Sequence, residues 1–212
     1  MPHRLTARTL GDEAALRALL GEPLDIVRAK VAPALDHLTR RFIELAPFVC
    51  LATSDAHGTC DVSPRGDPPG FVRILDDHTL LVPERPGNRL ADSLRNILAN
   101  PHVALLFVIP GVDDSFRVDG HATLTDDPDL LAPSAVEGRV PRLGILVDIE
   151  HAYPQCSKAF LRSQLWDPSR HVARETLPTS GEMHAVRAGA PFDACAYDAA
   201  RAERYARREG FY

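Results

Sequence analysis

Apolar residues recur along this chain at two different spacings, and the change between them divides it. From residue 9 to residue 46 the spacing is helical. Ala15, Leu16, Leu19 and Leu20 share one side of a helix over Asp12 to Leu20, which Gly21 and Pro23 end. Ile26, Val27, Val31, Leu35 and Leu38 share one side of a second segment. Pro33 sits inside it and is expected either to kink the helix or to open a new one at its first turn. Phe42, Ile43 and Leu45 carry the pattern to Pro47.

Beyond Pro47 strand patterns take over. Phe48 to Thr53 is the first, and Asp55-Ala56-His57-Gly58 supplies turn residues for a hairpin into Thr59 to Arg65. Phe71 to Leu75 turns at Asp76-Asp77-His78 into Thr79 to Pro83. Arg85-Pro86-Gly87-Asn88 leads into an amphipathic helix with Leu90, Leu94, Ile97 and Leu98 on one face, stopped at Asn100-Pro101. Val103 to Ile109 is almost wholly apolar, as a strand covered on both sides would be. Phe116 to Leu124 alternates, with Phe116, Val118 and Gly120 on one face. Residues 126–142 are loop-like, Leu143 to Ile149 is a last core strand, and a helix is expected over Gln155 to Trp166. In the polar tail, Ala194 to Arg208 reads as a helix.

Six or seven strands, mostly joined by hairpins and with one helix inserted mid-sheet, predict a mainly β fold: an antiparallel barrel with flanking helices. The implied organisation is a helical extension over 1–46, the barrel over 47–166, and a tail over 167–212.

Composition changes this picture little. A chain of 212 residues suits one domain with extensions, or two small ones. Hydrophobic and charged fractions of 45% and 25% are ordinary for a soluble globular protein. The net charge of −5 argues against a nucleic-acid partner. The start lacks the apolar core of a secretory signal, and no stretch approaches the roughly 20 apolar residues that cross a bilayer. Cys50, Cys60, Cys156 and Cys195 are scattered with no CxxC pair, so neither a zinc site nor a disulfide framework is expected. A cytoplasmic location fits best.

Three clusters carry candidate chemistry. Alternation puts Asp61, Ser63 and Arg65 on one face of the second strand. That face either meets water or binds a polar or phosphorylated ligand, since Arg forks onto phosphate and Ser donates to it. Gly87-Asn88-Arg89 opens the mid-sheet helix, where free amide donors attract anions; Asn88 suits the cap position and Arg89 adds a formal charge. On a helix, Lys158, Arg162 and Trp166 fall at steps of four and share a face, placing two cations beside the only tryptophan. Each of the last two is also consistent with an ordinary solvated face. His57, His78 and His102 fall in predicted turns and read as solvated, while His121 points opposite Val118. Cys60, beside Asp61, is either a redox thiol or a buried inert one.

Taken in order, Asp-Val-Ser-Pro-Arg-Gly-Asp-Pro-Pro-Gly (61–70), Arg-Pro-Gly-Asn-Arg-Leu-Ala-Asp-Ser-Leu-Arg-Asn-Ile-Leu (85–98) and Cys-Ser-Lys-Ala-Phe-Leu-Arg-Ser-Gln-Leu-Trp (156–166) resemble the pyridoxamine phosphate oxidase-like flavoproteins. The likeness is strongest to the branch of FMN-dependent enzymes that share the Ser-Pro-Arg-Gly-Asp strand. It implies an FMN-binding split β-barrel that dimerises, with FMN in a cleft between two subunits. By motif, Ser63 and Arg65 would approach the flavin, Pro83 would line its ring, and Asn88 with Arg89 would hold the phosphate. Lys158, Arg162 and Trp166 would complete the site from the partner subunit.

The chain departs from the oxidases proper. The Arg-Lys pair at their helix start is Asn88-Arg89 here, and their substrate-binding carboxy-terminal segment has no counterpart, which puts vitamin B6 oxidation in doubt. The function implied is an FMN-dependent oxidoreductase taking electrons from NAD(P)H to a small organic acceptor or oxygen. The rival readings are a flavin-binding or redox-sensing protein without turnover, and a split barrel holding haem or a deazaflavin. Haem would need an axial ligand, for which His121 or His151 is placed.

Overall fold

The predicted change of period at Pro47 coincides with the start of the sheet. The computed structural model describes residues 9–188 and 191–212, and the chain divides into two compact units at Val31/Ala32. In the first unit, the Asp12 carboxylate caps α1 (Glu13–Leu20) by accepting from the Ala15 amide at 2.8 Å. Gly21, at φ +71°, ends that helix in a backbone region where side chains are disfavoured. A shorter α2 (Asp25–Ala29) follows.

The long second helix expected through Pro33 does not form. Ala32 instead bridges to Ala152, and the Asp36 carboxylate accepts from the Leu38 and Thr39 amides at 2.8 Å, making a turn. Leu35 is therefore buried while Leu38 is exposed, and helix resumes only at α3 (Arg40–Leu45).

The main unit is built on seven antiparallel strands: β1 (Phe48–Ser54), β2 (Cys60–Gly66), β3 (Arg73–Ile74), β4 (Thr79–Pro83), β5 (His102–Val108), β6 (Ser115–Thr125) and β7 (Gly144–Gln155). Their order in the sheet is β2-β1-β5-β6-β7-β4-β3. The two ends of this order, β2 and β3, are edges, so the barrel is split rather than closed. β3 covers only Leu80 and Leu81 of β4, leaving Val82 and Pro83 at the open edge.

Register defines the inner face. Val49, Phe107 and Phe116 lie in one cross-strand row, and Leu51, Leu105 and Val118 in the next. All six are at most 1% exposed and form the centre of the core. On β5 the alternation is plain: Val103, Leu105 and Phe107 are buried, whereas Ala104, Leu106 and Val108 are only half-buried. The strand expected to be covered on both sides is therefore fully covered on its inner face and only partly on its outer one.

Helix α4 (Asp92–Ala99) packs against β1, β2 and β6. Ile97 is buried and Leu94 packs on the core, but Leu98 is 76% exposed, narrowing the predicted apolar stripe. Polar bonds fix the helix laterally: Ser93 Oγ donates to Asp61 at 2.7 Å, and Asn96 Nδ2 donates to Thr53 Oγ1 at 3.0 Å.

Residues 126–142 are not wholly loop. Asp127 caps α5 (Pro128–Leu131), which buries Leu131, and a 3₁₀ turn follows at Ala132–Ser134. β7 runs on to Gln155, so only α6 (Lys158–Ser163) remains of the helix expected over Gln155 to Trp166. The tail folds as α7 (Ser180–Ala188) packed on α8 (Ala194–Ala206), the second as its composition indicates. Among the described residues, no helix is long and apolar enough to cross a membrane.

Candidate cofactor site

Edge strand β2 presents its polar residues inward. Asp61, Ser63 and Arg65 stand opposite Thr53, Leu51 and Val49 in the ladder, on the face that elsewhere forms the core. They are half-buried, while Cys60, Val62 and Pro64 on the other face are exposed. The polar face of this strand is thus turned toward the interior of the split and lines its cavity rather than lying on the outer surface. Cys60 is an exposed free thiol, not a buried one.

A cavity of about 600 Å³ opens where the sheet is split, lined by Ser63, Arg65, Pro83, Asn88 and Arg89 among others. That volume lies within the roughly 300–1,000 Å³ typical of small-molecule sites. Two ion pairs join β2, and the residue just after its end, to the segment following β4. The Arg65 guanidinium pairs with Glu84 through Nη1. The buried Nε of Arg65 has no hydrogen-bond partner. Arg85 Nε meets Asp67 at 2.6 Å, and its Nη2 donates to the Ser134 carbonyl at 2.9 Å. Tyr212 donates its hydroxyl to Asp67 at 2.7 Å, and the Arg85 guanidinium lies 5.3 Å from the tyrosine ring centre. The hydrogen bond to Asp67, then desolvation, raises the Tyr212 pKa above the ordinary phenol range.

Asn88 and Arg89 line the cavity but do not begin a helix, which corrects the helix start expected there. Helix α4 starts at Asp92 behind Ala91, and both Arg89 (φ +63°) and Ala91 (φ +58°) adopt left-handed conformations that no helix continues through. Asn88 Oδ1 caps its own turn, accepting from the Leu90 amide at 2.9 Å. Leu90 is 60% exposed and off the helix.

The third cluster is not a single helical face. Gln164 at φ +50° terminates α6, so Trp166 leaves the helix that carries Lys158 and Arg162. Its indole N–H donates to the Val112 carbonyl at 2.9 Å, and its ring stacks on Phe160 with centroids 5.9 Å apart. Lys158 and Arg162 are exposed, and none of the three lines the cavity.

Glu84, Arg85, Asp67 and Tyr212 were not singled out from sequence. Asp67 stands inside the Ser-Pro-Arg-Gly-Asp run and could have been marked by it. Tyr212 lies 145 positions away, and no local pattern connects the two. His121 and His151 sit on β6 and β7, and among the described residues no histidine lines the cavity. His102 heads β5 rather than occupying a turn.

An unclosed seven-stranded antiparallel barrel with a cavity at its split is a split barrel of the pyridoxamine phosphate oxidase type. The family model described as pyridoxamine 5'-phosphate oxidase matches residues 35–162, and the chain belongs to that family. Similar solved structures include general stress protein 26 from Bacillus anthracis str. Sterne, with 18% identity over 56% of this chain and 94% of that chain, TM-score 0.43. An F420 reductase shares 18% identity over 57% and 98%, TM-score 0.41. HutZ, the heme storage protein from Vibrio cholerae, shares 16% over 57% and 91%, TM-score 0.37. No curated protein matches the chain.

Proposed function

We propose that this chain is an FMN-dependent oxidoreductase, acting as a cytoplasmic homodimer that passes electrons from NAD(P)H to a small organic acceptor or oxygen. The observation that carries the reading is the buried, unpartnered Nε of Arg65, in a residue that lines the cavity at the split. A buried guanidinium donor without an acceptor is costly, and a bound anionic ligand would satisfy it. With Arg65 and Arg89 at one cavity, a dianionic phosphate group fits the donor set. Ser63 and Asn88 add neutral polar groups, and Pro83 adds an apolar wall.

When bound, FMN supplies the hydride chemistry itself, so no lining residue needs to act as a catalytic acid or base. The protein's part is to bind, orient and exclude water. A nearby cation also raises the flavin's potential by stabilising negative charge on the reduced ring.

The homodimer rests on the outer face of the sheet. Phe48, Val62 and Leu106 lie there with Cys50, Ala52 and Pro64, an apolar surface bordered on β6 by Arg117 and Asp119. In the dimer, Lys158, Arg162 and Trp166 would reach the cofactor from the partner subunit.

The test is the absorbance spectrum of the purified protein, before and after adding FMN, followed by an acceptor screen under NADPH. A yellow protein whose colour bleaches on reduction and returns with an acceptor supports the reading. A colourless protein that stays so with FMN overturns it, as would a haem spectrum; a flavin spectrum without turnover leaves a flavin-binding or redox-sensing role.

A further inference from the structure

The outer face carries a second cluster, none of whose members lines the cavity. His102 at the start of β5 stands opposite His121 of β6 in the ladder. Their rings are tilted at 55°, with centroids 4.3 Å apart. Across the next ladder Asp119 pairs with His151 and Gly120 with Ile149, so Glu150 is the additional residue of a β-bulge. The bulge brings its carboxylate beside His121, with Oε1 3.5 Å from Nδ1. One ligand atom from each of His102, His121 and Glu150 lies within 4.8 Å of the other two.

The backbone builds this arrangement. A Cβ at residue 120 would fall 2.0 Å from the Asp148 carbonyl oxygen, so only glycine permits the close approach that accompanies the bulge. Three strands thereby converge three ligand-type side chains that are far apart in sequence.

We infer that His102, His121 and Glu150 form a site for a borderline divalent transition ion of the zinc class, with a remaining coordination position open to water or a small ligand. Two imidazoles and one carboxylate form a donor set suited to such ions, and two nitrogen donors disfavour Mg²⁺ and Ca²⁺. The His121–Glu150 separation already matches the edge of a tetrahedron with metal–ligand bonds of roughly 2.0–2.1 Å. His102 is exposed, and its ligand atom lies within 4.8 Å of those of His121 and Glu150. An ion pair between His121 and Glu150 alone would account for their contact, but it gives His102 no part. His102 is therefore the discriminating residue.

The experiment is a titration of the full-length protein with Zn²⁺, with Mg²⁺ as competitor. It is repeated on a background carrying Cys60→Ser, Cys156→Ser and Cys195→Ser, because those three thiols are exposed. One ion per protomer is expected on that background, with a raised melting temperature on zinc addition. His102→Ala, His121→Ala and Glu150→Gln should each weaken binding by about tenfold or more, the least that disturbing a metal's ligand shell costs. His57→Ala, in an exposed turn, should leave affinity unchanged. Zinc affinity unaltered by His102→Ala, effective competition by Mg²⁺, or no binding on the thiol-free background would each overturn the inference.

Discussion

The Arg65 guanidinium meets the Glu84 carboxylate across the open side of the barrel, joining edge strand β2 to the residue after β4. Both side chains are largely buried, at 15% and 23% exposed, so the pair is shielded from the screening that weakens surface ion pairs. Among the described residues, no backbone ladder joins these edges. The same guanidinium lines the proposed flavin cavity, so it has two roles that mutation can separate.

Arg65→Ala is expected to weaken FMN binding by roughly 1.5–3 kcal/mol, the scale of a charge-assisted hydrogen bond, and Arg89→Ala by a similar amount. Glu84→Gln also weakens the ion pair but retains the cation, and it should leave FMN affinity unchanged or increased. Quenching of FMN fluorescence measures all three. Loss of affinity in Glu84→Gln would mean that Arg65 acts by holding the edges together rather than by binding the ligand.

The Tyr212 contact gives a pH dependence with a defined sign. Its hydroxyl donates to Asp67, and this hydrogen bond raises the phenol's pKa in the folded chain. A raised pKa means that the folded state holds the proton more tightly than the unfolded one. The contact therefore contributes fully below the unfolded tyrosine pKa and is lost as pH rises through the folded value. Limited proteolysis of the tail should accelerate in that alkaline range in the parent and show no such pH step in Tyr212→Phe.

Gly120→Ala is expected to destabilise the fold by roughly 1–3 kcal/mol or more, as overpacking does, because the new methyl meets backbone rather than a movable side chain. Thermal unfolding checks this. The neighbouring Ala122→Gly, which relieves rather than adds crowding, should cost less than Gly120→Ala.

Leu106→Asp places a charge on the outer face, between Cys50 and Arg117 in the ladder, and should convert the proposed dimer to a monomer. Light scattering after size exclusion measures it. If the partner supplies Lys158, Arg162 and Trp166 to the site, FMN affinity falls as the dimer is lost. A Leu106→Asp protein that remains dimeric would place the interface elsewhere.

Most of the sheet was legible because its strands carry clear inward alternation: Phe116, Val118 and Gly120 sit on one face as their spacing indicates. Element limits were less so. The Asn88–Arg89 helix start failed because the left-handed conformations of Arg89 and Ala91 belong to non-glycine residues and leave no mark in the pattern. The Lys158–Trp166 face failed at Gln164 for the same reason. The cavity gathered five of the eight anticipated cofactor residues, since Ser63, Arg65, Pro83, Asn88 and Arg89 come from segments adjoining the split. The partners Glu84 and Tyr212 are brought in by side-chain contacts across the split and from the tail, and the convergence of His102, His121 and Glu150 arises from ladder register and a bulge. Neither is encoded in local spacing.

The split also sets how this barrel can breathe. Six neighbouring strand pairs are bonded main chain to main chain, and widening any of those gaps breaks several hydrogen bonds together. At the remaining seam the connections described are side-chain contacts, Arg65 with Glu84 and Arg85 with Asp67, which can lengthen, rotate or exchange partners one at a time. The wall of the cavity is thus its most compliant part, and a ligand can enter there while the backbone ladder stays intact.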